Sequence, residues 1–328
     1  MLDLLDLSST RPGIAPSALP SLRILLAAPR GFCAGVRRAI DAVVEALERH
    51  GAPVYVRRPI VHNLAVVASL EAQGAVFVEE LDQVPEGGVV VLSAHGVQPE
   101  VRREAERRGL VAYDAVCPLV AKVHREVARH HREGRHVILV GHEGHPEIVG
   151  TLGQIPAGAA SLVRTAEDVR ALDVDRGSAV GYAVQTTYSV DEAGAVIEAL
   201  EACFPELAGP PSSDICYATT NRQAAVRRIA PLADAMIVAG EHFSSNACRL
   251  AEVAKASGCP SVQLVADASQ LDWKRLPQSG AVGITAAAST PEIIVSGILE
   301  ALMERYALSV EEVQAAEETI QFKPVKIG

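Results

Sequence analysis

No stretch of this sequence approaches the roughly 18 to 20 continuous apolar residues that cross a bilayer, although 49 % of its 328 residues are hydrophobic. The reading is therefore a soluble globular protein with apolar material for two or three ordinary cores and no membrane partner. Aromatic residues are scarce, at 4 %, and the net charge is -10; both argue against binding nucleic acid, which needs basic surface and usually stacking rings. A basic leader is also missing. Asp3 and Asp6 stand where a secretory signal carries Lys or Arg, and Pro12, Pro16 and Pro20 interrupt the apolar positions, so residues 1–22 read as a loose N-terminal extension. There is no CxxC pair, no Walker loop and no GxGxxG loop. Six cysteines spread unevenly over so long a chain do not make a disulfide framework, and a reducing cytoplasm is the expected compartment.

What is present is a repeat. The stretches "FCAGVRRAIDAVVEAL", "VCPLVAKVHREVARHH" and "ICYATTNRQAAVRRIA" each set one cysteine, Cys33, Cys117 or Cys216, directly before a helical pattern. Each pattern carries basic residues in its first two turns: Arg37 and Arg38, Lys122 and Arg125, Arg222 and Arg227. His62, His145 and Ser244 follow the three cysteines by 29, 28 and 28 residues, each after a β-rich run and before another helical pattern. A third set, near His95, Thr186 and Ser289, ends further β-rich runs. Alternating strands and helices of this length predict an α/β protein with mainly parallel sheets, whose ligand sites form beyond the carboxyl ends of the strands. Three such units would offer their polar residues to one central cavity.

Breaks near "GLVAYDAV" and "AGPPSSD" divide the chain into α/β domains at 23–115, 116–212 and 213–298, followed by a C-terminal helix and tail, 299–328. The spacings between successive cysteines, 84 and 99 residues, are unequal, so this is a pseudo-repeat of whole units and not a solenoid. The last stretch, "EETIQFKPVKIG", is expected as a short strand and a tail folded back on the core.

A thiolate at a helix N-terminus is stabilised by free N–H groups and the positive end of the dipole. Three of them can hold zinc with an open fourth position, or three irons of a 4Fe-4S cluster with the fourth iron free. Both remain open on the residues alone. Cys203, Cys248 and Cys259 break the repeat and are expected to be packing residues. Around the proposed centre stand His62, His95, His145, Glu147, Thr186, Thr187, Ser244, Ser245, Asn246 and Ser289. Histidine, hydroxyl and amide groups at helix starts suit a phosphate or diphosphate, although Ser, Thr and Asn in such places also serve as helix caps. Glu147 is the acidic group in this ring; a carboxyl in a partly dry cavity keeps its proton to higher pH and can act as a general acid, with His145 as a relay. His142 is expected to stand outside the site.

The motifs "PRGFCAGV", "PIVHN", "SAHGV", "DAVCPLVAKVH", "GHEGHPE", "VQTT", "DICYATTNRQ", "SSN" and "TAAAS", in this order over about residues 23 to 325, resemble the 4-hydroxy-3-methylbut-2-enyl diphosphate reductases, the last enzymes of the methylerythritol phosphate route to isoprenoids. The resemblance implies a trefoil of three α/β domains around one 4Fe-4S cluster held by Cys33, Cys117 and Cys216. It implies that His62, His95, His145, Ser244, Ser245, Asn246 and Ser289 hold the substrate diphosphate, that Glu147 supplies protons, and that Thr186 positions the allylic hydroxyl. Ferredoxin or flavodoxin is the expected electron donor, and the expected state is a monomer or weak homodimer. Two residues depart from the family pattern: Phe243 where Asn is usual, and Ala287 where Gly is usual. Both border the proposed diphosphate site, so affinity is where their effect is expected.

Overall fold

The computed structural model describes residues 19–328; residues 1–18 of the expected extension lie outside the described residues. Its last two residues, Ser21 and Leu22, begin a strand, β1 (Ser21–Ala28). Helix α1 (Ala34–His50) follows, with Ala39, Ala42, Val43 and Ala46 recurring every three or four residues on its buried face.

The first sheet contains β2 (Val54–Arg57), β3 (Ala75–Val78), β4 (Val89–Leu92) and β5 (Val111–Asp114) in the order β3-β2-β4-β5, with helices α2 (Leu64–Glu71) and α3 (Pro99–Arg107) between its strands. The second contains β6 (His136–Val140), β7 (Ala160–Val163), β8 (Val180–Val184) and β9 (Leu207–Ala208) in the order β7-β6-β8-β9. Its helices are α4 (Pro118–Arg132), α5 (Pro146–Leu152), α6 (Ala166–Arg170) and α7 (Val190–Cys203). The third takes β10 (Ala235–Ala239), β11 (Val262–Val265), β12 (Gly280–Ala286) and β13 (Ala307–Gln314), with α8 (Tyr217–Ile229), α9 (Ser245–Ala256) and α10 (Glu292–Met303). Its order is β11-β10-β12-β1-β13, and every strand pair of the three sheets is parallel.

Apolar runs such as "HVILV" and "AMIVA" suit this arrangement, because a parallel sheet is covered on both faces and its strands cannot alternate polar with apolar. Each sheet has a separate hydrophobic cluster on each side.

The three sheets share one plan, and the plan closes on itself. β5 leads to Cys117 and β9 leads toward Cys216; the equivalent fourth position in the third sheet is taken by β1, which leads to Cys33. Strand β1 therefore belongs to the sheet of the third unit, although the linear division of the sequence placed it with the first. Between β12 and β13, Leu25 and Ala27 of this strand are buried in one core of the third unit and Leu22, Ile24 and Leu26 in the other. The other end also crosses over: Val325 and Ile327 pack into the core of the first unit beside Ala39 and Val43. The final strand, β13, precedes "EETIQFKPVKIG", and that segment itself has no regular structure.

Candidate functional site

The residues picked out at the strand ends line one cavity where the three units meet: Cys33, Cys117, Cys216, His62, His95, His145, Glu147, Thr186, Thr187, Ser244, Ser245, Asn246 and Ser289. Each of Cys33, Cys117 and Cys216 is the N-cap of its helix, α1, α4 or α8. The Cys33 sulfur accepts the Val36 N–H at 3.4 Å. The Cys216 sulfur accepts the Thr219 N–H at 3.4 Å and lies 3.2 Å from the Thr219 hydroxyl. Burial pushes the Cys117 thiol up to about 12 and the Cys216 thiol up to about 11, the neighbouring thiols adding to the effect and local hydrogen bonds offsetting part of it. Bare thiolates are thus disfavoured here, and a bound cationic centre would reverse this. Gly35 faces the same point; a methyl there would lie 2.8 Å from the Cys117 sulfur and 3.8 Å from that of Cys33.

On the opposite wall, His62 and His95 stack with ring centres 4.2 Å apart, and His145 stands edge-on to both. Burial lowers all three pKa values, His145 to about 3 and His95 well below its ordinary value, with mutual repulsion as a smaller cause for these two. Burial therefore favours the neutral form of all three rings, and an anion among them would favour their protonation. His145 also caps α5 by accepting the Glu147 N–H on Nδ1 at 3.2 Å, which leaves the proton of the neutral ring on Nε2 as a donor.

Ser244 caps α9, its hydroxyl accepting the Ala247 N–H. Asn246 accepts the Ala288 N–H at 2.9 Å through Oδ1, while its buried Nδ2 has no partner among the described residues. A buried amide donor without a partner is costly, and here it lines the cavity. Ser289 donates to the His62 carbonyl at 3.1 Å, joining the third unit to the first.

Glu147 is 2 % exposed. One carboxyl oxygen accepts the Thr186 N–H at 2.7 Å and the other accepts the Thr186 hydroxyl at 2.8 Å. Burial raises its pKa to about 7 against the pull of these two bonds, with Asp214 adding to the rise. Such a carboxyl is poised to give up a proton near neutral pH. The expected relay through His145 takes another form: the imidazole meets the backbone of Glu147, and among the described residues the carboxyl's hydrogen bonds go to Thr186.

Gln185, unassigned in the sequence reading, is fully buried beside this pair. Its oxygen accepts the His142 N–H at 2.9 Å, and its nitrogen donates to Thr187 at 2.7 Å and Ser245 at 3.3 Å. The signal was its place in "VQTT", at the end of β8. His142 lies outside the cavity lining, with its ring against Tyr188. Cys259 is buried in the third core, Cys203 packs on the second, and Cys248 donates to the His242 carbonyl. Ala287 is buried among apolar side chains, and the residue that lines the cavity is its neighbour Ala288. Phe243 is half exposed and meets the His62 ring edge-on, with ring centres 6.0 Å apart.

The shifted groups predict how stability depends on pH. Burial lowers the pKa of His62, His95, His124, His142 and His145. Such a histidine binds fewer protons folded than unfolded, so its contribution is complete above about pH 6.5 and is lost as the pH falls. Glu147 and Asp214 act in the opposite sense: their raised pKa values make the folded state bind more protons, and their contribution is lost as the pH rises through the acid-to-neutral range. The histidines outnumber them. Urea unfolding of the metal-free protein is expected to show lower stability at about pH 5 than at about pH 7.5; a flat or reversed profile would contradict these burial effects.

The sequence matches the family profile described as "LytB protein" over residues 24–303. A protein of Methylocella silvestris named 4-hydroxy-3-methylbut-2-enyl diphosphate reductase is 54 % identical over 304 residues, covering 92 % of this chain and 95 % of the relative. One of the same name from Paracoccus denitrificans is 52 % identical over 308 residues, covering 94 % and 98 %. Among solved structures, the E-1-hydroxy-2-methyl-but-2-enyl-4-diphosphate reductase of Plasmodium falciparum superposes with a TM-score of 0.88 at 37 % identity, over 93 % of this chain and 96 % of that one. A second structure, described as (E)-4-hydroxy-3-methyl-but-2-enyl diphosphate reductase, the terminal enzyme of the non-mevalonate pathway, gives 0.62 at 35 % identity, over 86 % and 99 %.

Proposed function

The chain belongs to the LytB protein family, and from that premise we propose that it reduces (E)-4-hydroxy-3-methylbut-2-enyl diphosphate to isopentenyl and dimethylallyl diphosphate, with Glu147 as the proton donor. The reaction removes the hydroxyl as water and consumes two electrons and two protons, one proton leaving with the oxygen and one ending on carbon. The carrying observation is the convergence on one cavity of three N-cap cysteines, a wall of three histidines with Ser244, Ser245, Asn246 and Ser289, and a buried carboxyl with a pKa of about 7.

The family is an iron–sulfur one, and the donor set fits a cluster. Three cysteine sulfurs face a largely apolar cavity with Gly35 leaving room between two of them. Cys33, Cys117 and Cys216 are the proposed ligands of a 4Fe-4S cluster with one open iron. When bound, the cluster supplies single electrons and Lewis acidity toward the substrate oxygen.

The chain's own groups bind, orient and protonate. His62, His95 and His145, together with Ser244, Ser245, Ser289, the free Asn246 amide and the N-terminus of α9, hold the diphosphate by charge-assisted hydrogen bonds. This fixes the other end of the substrate beside Thr186. Glu147 delivers its proton there through the Thr186 hydroxyl, and burial keeps that proton available at neutral pH. Glu147 and Thr186 form the acid unit, while His145 serves the diphosphate. An external one-electron carrier, a ferredoxin or flavodoxin, supplies the electrons.

Anaerobic purification with a visible spectrum and iron and sulfide analysis tests the ligand assignment. Wild type is expected to be brown, with visible absorption from thiolate-bound iron. Cys33→Ser, Cys117→Ser and Cys216→Ser should each lose that absorption, while Cys203→Ser, Cys248→Ser and Cys259→Ser should retain it. A colourless wild type, or zinc in place of iron, would overturn the assignment.

A further inference from the structure

The basic residues that follow the three cysteines have a common use. Arg38, five residues after Cys33, donates to the carbonyl of Val116 at 3.0 Å, one residue before Cys117. Lys122, five after Cys117, donates to the carbonyls of Ser212 and Ser213 at 2.7 and 3.0 Å, just upstream of Cys216. Arg222, six after Cys216, donates twice to the carbonyl of Gly31, at 3.0 and 2.7 Å, two residues before Cys33. Each cysteine-bearing helix thus grips the backbone leading into the next cysteine, and the third grip returns to the first.

We propose that Arg38, Lys122 and Arg222 form a closed ring of ties that sets the mutual positions of Cys33, Cys117 and Cys216. These are positioning residues for the bound cluster, and the inference rests on the three-cysteine assignment made above. Three observations carry it beyond a list of hydrogen bonds.

The first is geometrical. Cys33 is bracketed by α8: Arg222 holds Gly31 on one side, and on the other the Ala34 N–H donates to the Tyr217 hydroxyl at 3.1 Å. Two fixed points from the Cys216 helix leave the Cys33 loop little freedom to move against it.

The second is that each cation has a further partner that holds it in place. Arg222 is fully buried and pairs with Glu318 at 2.8 Å, while donating also to the Ala218 carbonyl. Lys122 pairs with Asp214 at 3.2 Å. Arg38 donates to the Lys323 carbonyl at 2.9 Å. Two of these partners lie on the C-terminal tail, so the tail braces the ring at two of its three ties. A buried guanidinium would carry a large desolvation penalty without such partners, and the four carbonyls that the ties grip, of Val116, Ser212, Ser213 and Gly31, all lie between regular elements.

The third is topological. Strand β1 closes the sheet plan cyclically, and Arg222 closes the ties in the same sense, from the third unit to the first. The arrangement is complete only when all three units are assembled.

A closed ring makes a distinctive prediction. Opening it at one place frees all three loops, so a second opening adds little, whereas independent structural contacts would act additively. In reconstituted holoprotein challenged with an iron chelator, Lys122→Met and Arg38→Gln are each expected to speed the loss of visible absorption about tenfold or more, as outer-shell changes do at metal centres. The double variant should be close to the faster single variant. Lys122→Arg should restore the wild-type lifetime, and Ile298→Val, in the third core away from the ring, should not shorten it.

Wild-type lifetimes in both single variants would overturn the proposal, as would multiplied rates in the double variant or an equal loss in Ile298→Val. The metal-free chain gives a separate reading, which stands even if wild type proves to bind no cluster. Alkylation of Cys117 and Cys216 by iodoacetamide should be faster in Lys122→Met than in wild type. Unchanged alkylation would overturn the ring, while a colourless wild type would overturn only the cluster assignment.

Discussion

Glu147→Gln is expected to lower turnover by about 10² to 10⁴, the range for losing a positioned general acid, while leaving substrate affinity and the visible spectrum close to wild type. Glutamine keeps the shape of the carboxyl and can take both Thr186 contacts, its oxygen accepting the backbone N–H and its amide meeting the hydroxyl. It has no proton to give. Burial holds the carboxyl's pKa at about 7, so near neutral pH a large fraction of the protein carries the proton that the leaving hydroxyl needs. Wild-type turnover should therefore fall as the pH rises above about 7, and that limb should vanish in the variant.

The same burial predicts a change of opposite sign in stability. An ionised carboxylate at this site weakens the fold above neutral pH by up to ~3 kcal/mol, so Glu147→Gln should be more resistant to urea than wild type at about pH 8. Loss of activity with gain of stability is the pattern of a group strained for chemistry. Near-normal turnover, or an alkaline limb that survives the substitution, would remove Glu147 from the acid role.

Much of this site is visible in the sequence because its chemistry sits at the ends of regular elements. A cysteine before a helical period, or a Ser-Ser-Asn before another, can be read locally, and the structure places each at a helix start lining the cavity. What could not be read depends on partners distant in the chain or on the backbone. Strand β1 pairs with residues about 250 to 290 positions away, and nothing in "SLRILLAA" says which sheet will receive it. Gln185 looks like any strand-end polar residue until His142, Thr187 and Ser245 converge on it. The basic residues after the cysteines were visible as a pattern, but they act on carbonyl groups, which every residue has and which leave no mark in the sequence. The spacing of His145 and Glu147 suggested contact between imidazole and carboxyl; the turn into α5 directs the contact to the Glu147 N–H instead, since an N-cap side chain serves the first free amides of its helix.

Gly35→Ala is the second change with a large expected effect, and helix propensity alone points the wrong way. Gly35 is the second residue of α1, and alanine is favoured over glycine within helices by about 1 kcal/mol. The backbone there is ordinary helix, so nothing in its conformation requires glycine. On propensity alone the metal-free variant would be as stable as wild type or slightly more so.

The added methyl, however, would stand 2.8 Å from the Cys117 sulfur and 3.5 Å from its Cβ, well inside contact distance. A cysteine side chain has one rotatable bond, so its sulfur can yield only by turning. Its backbone is also fixed, with the Cys117 N–H on the Ala94 carbonyl at 3.0 Å and the preceding carbonyl held by Arg38. The strain is relieved only by turning the sulfur away from the other two cysteines or by moving the loop. Either response removes one proposed ligand from the shared centre, so iron content and visible absorption should fall toward those of Cys117→Ser, and turnover with them. Full iron loading in Gly35→Ala would show that the three sulfurs do not close on this point. A stable protein that cannot hold its cluster would separate the requirement of the helix from that of the site: the helix accepts a methyl here, and the thiol opposite does not.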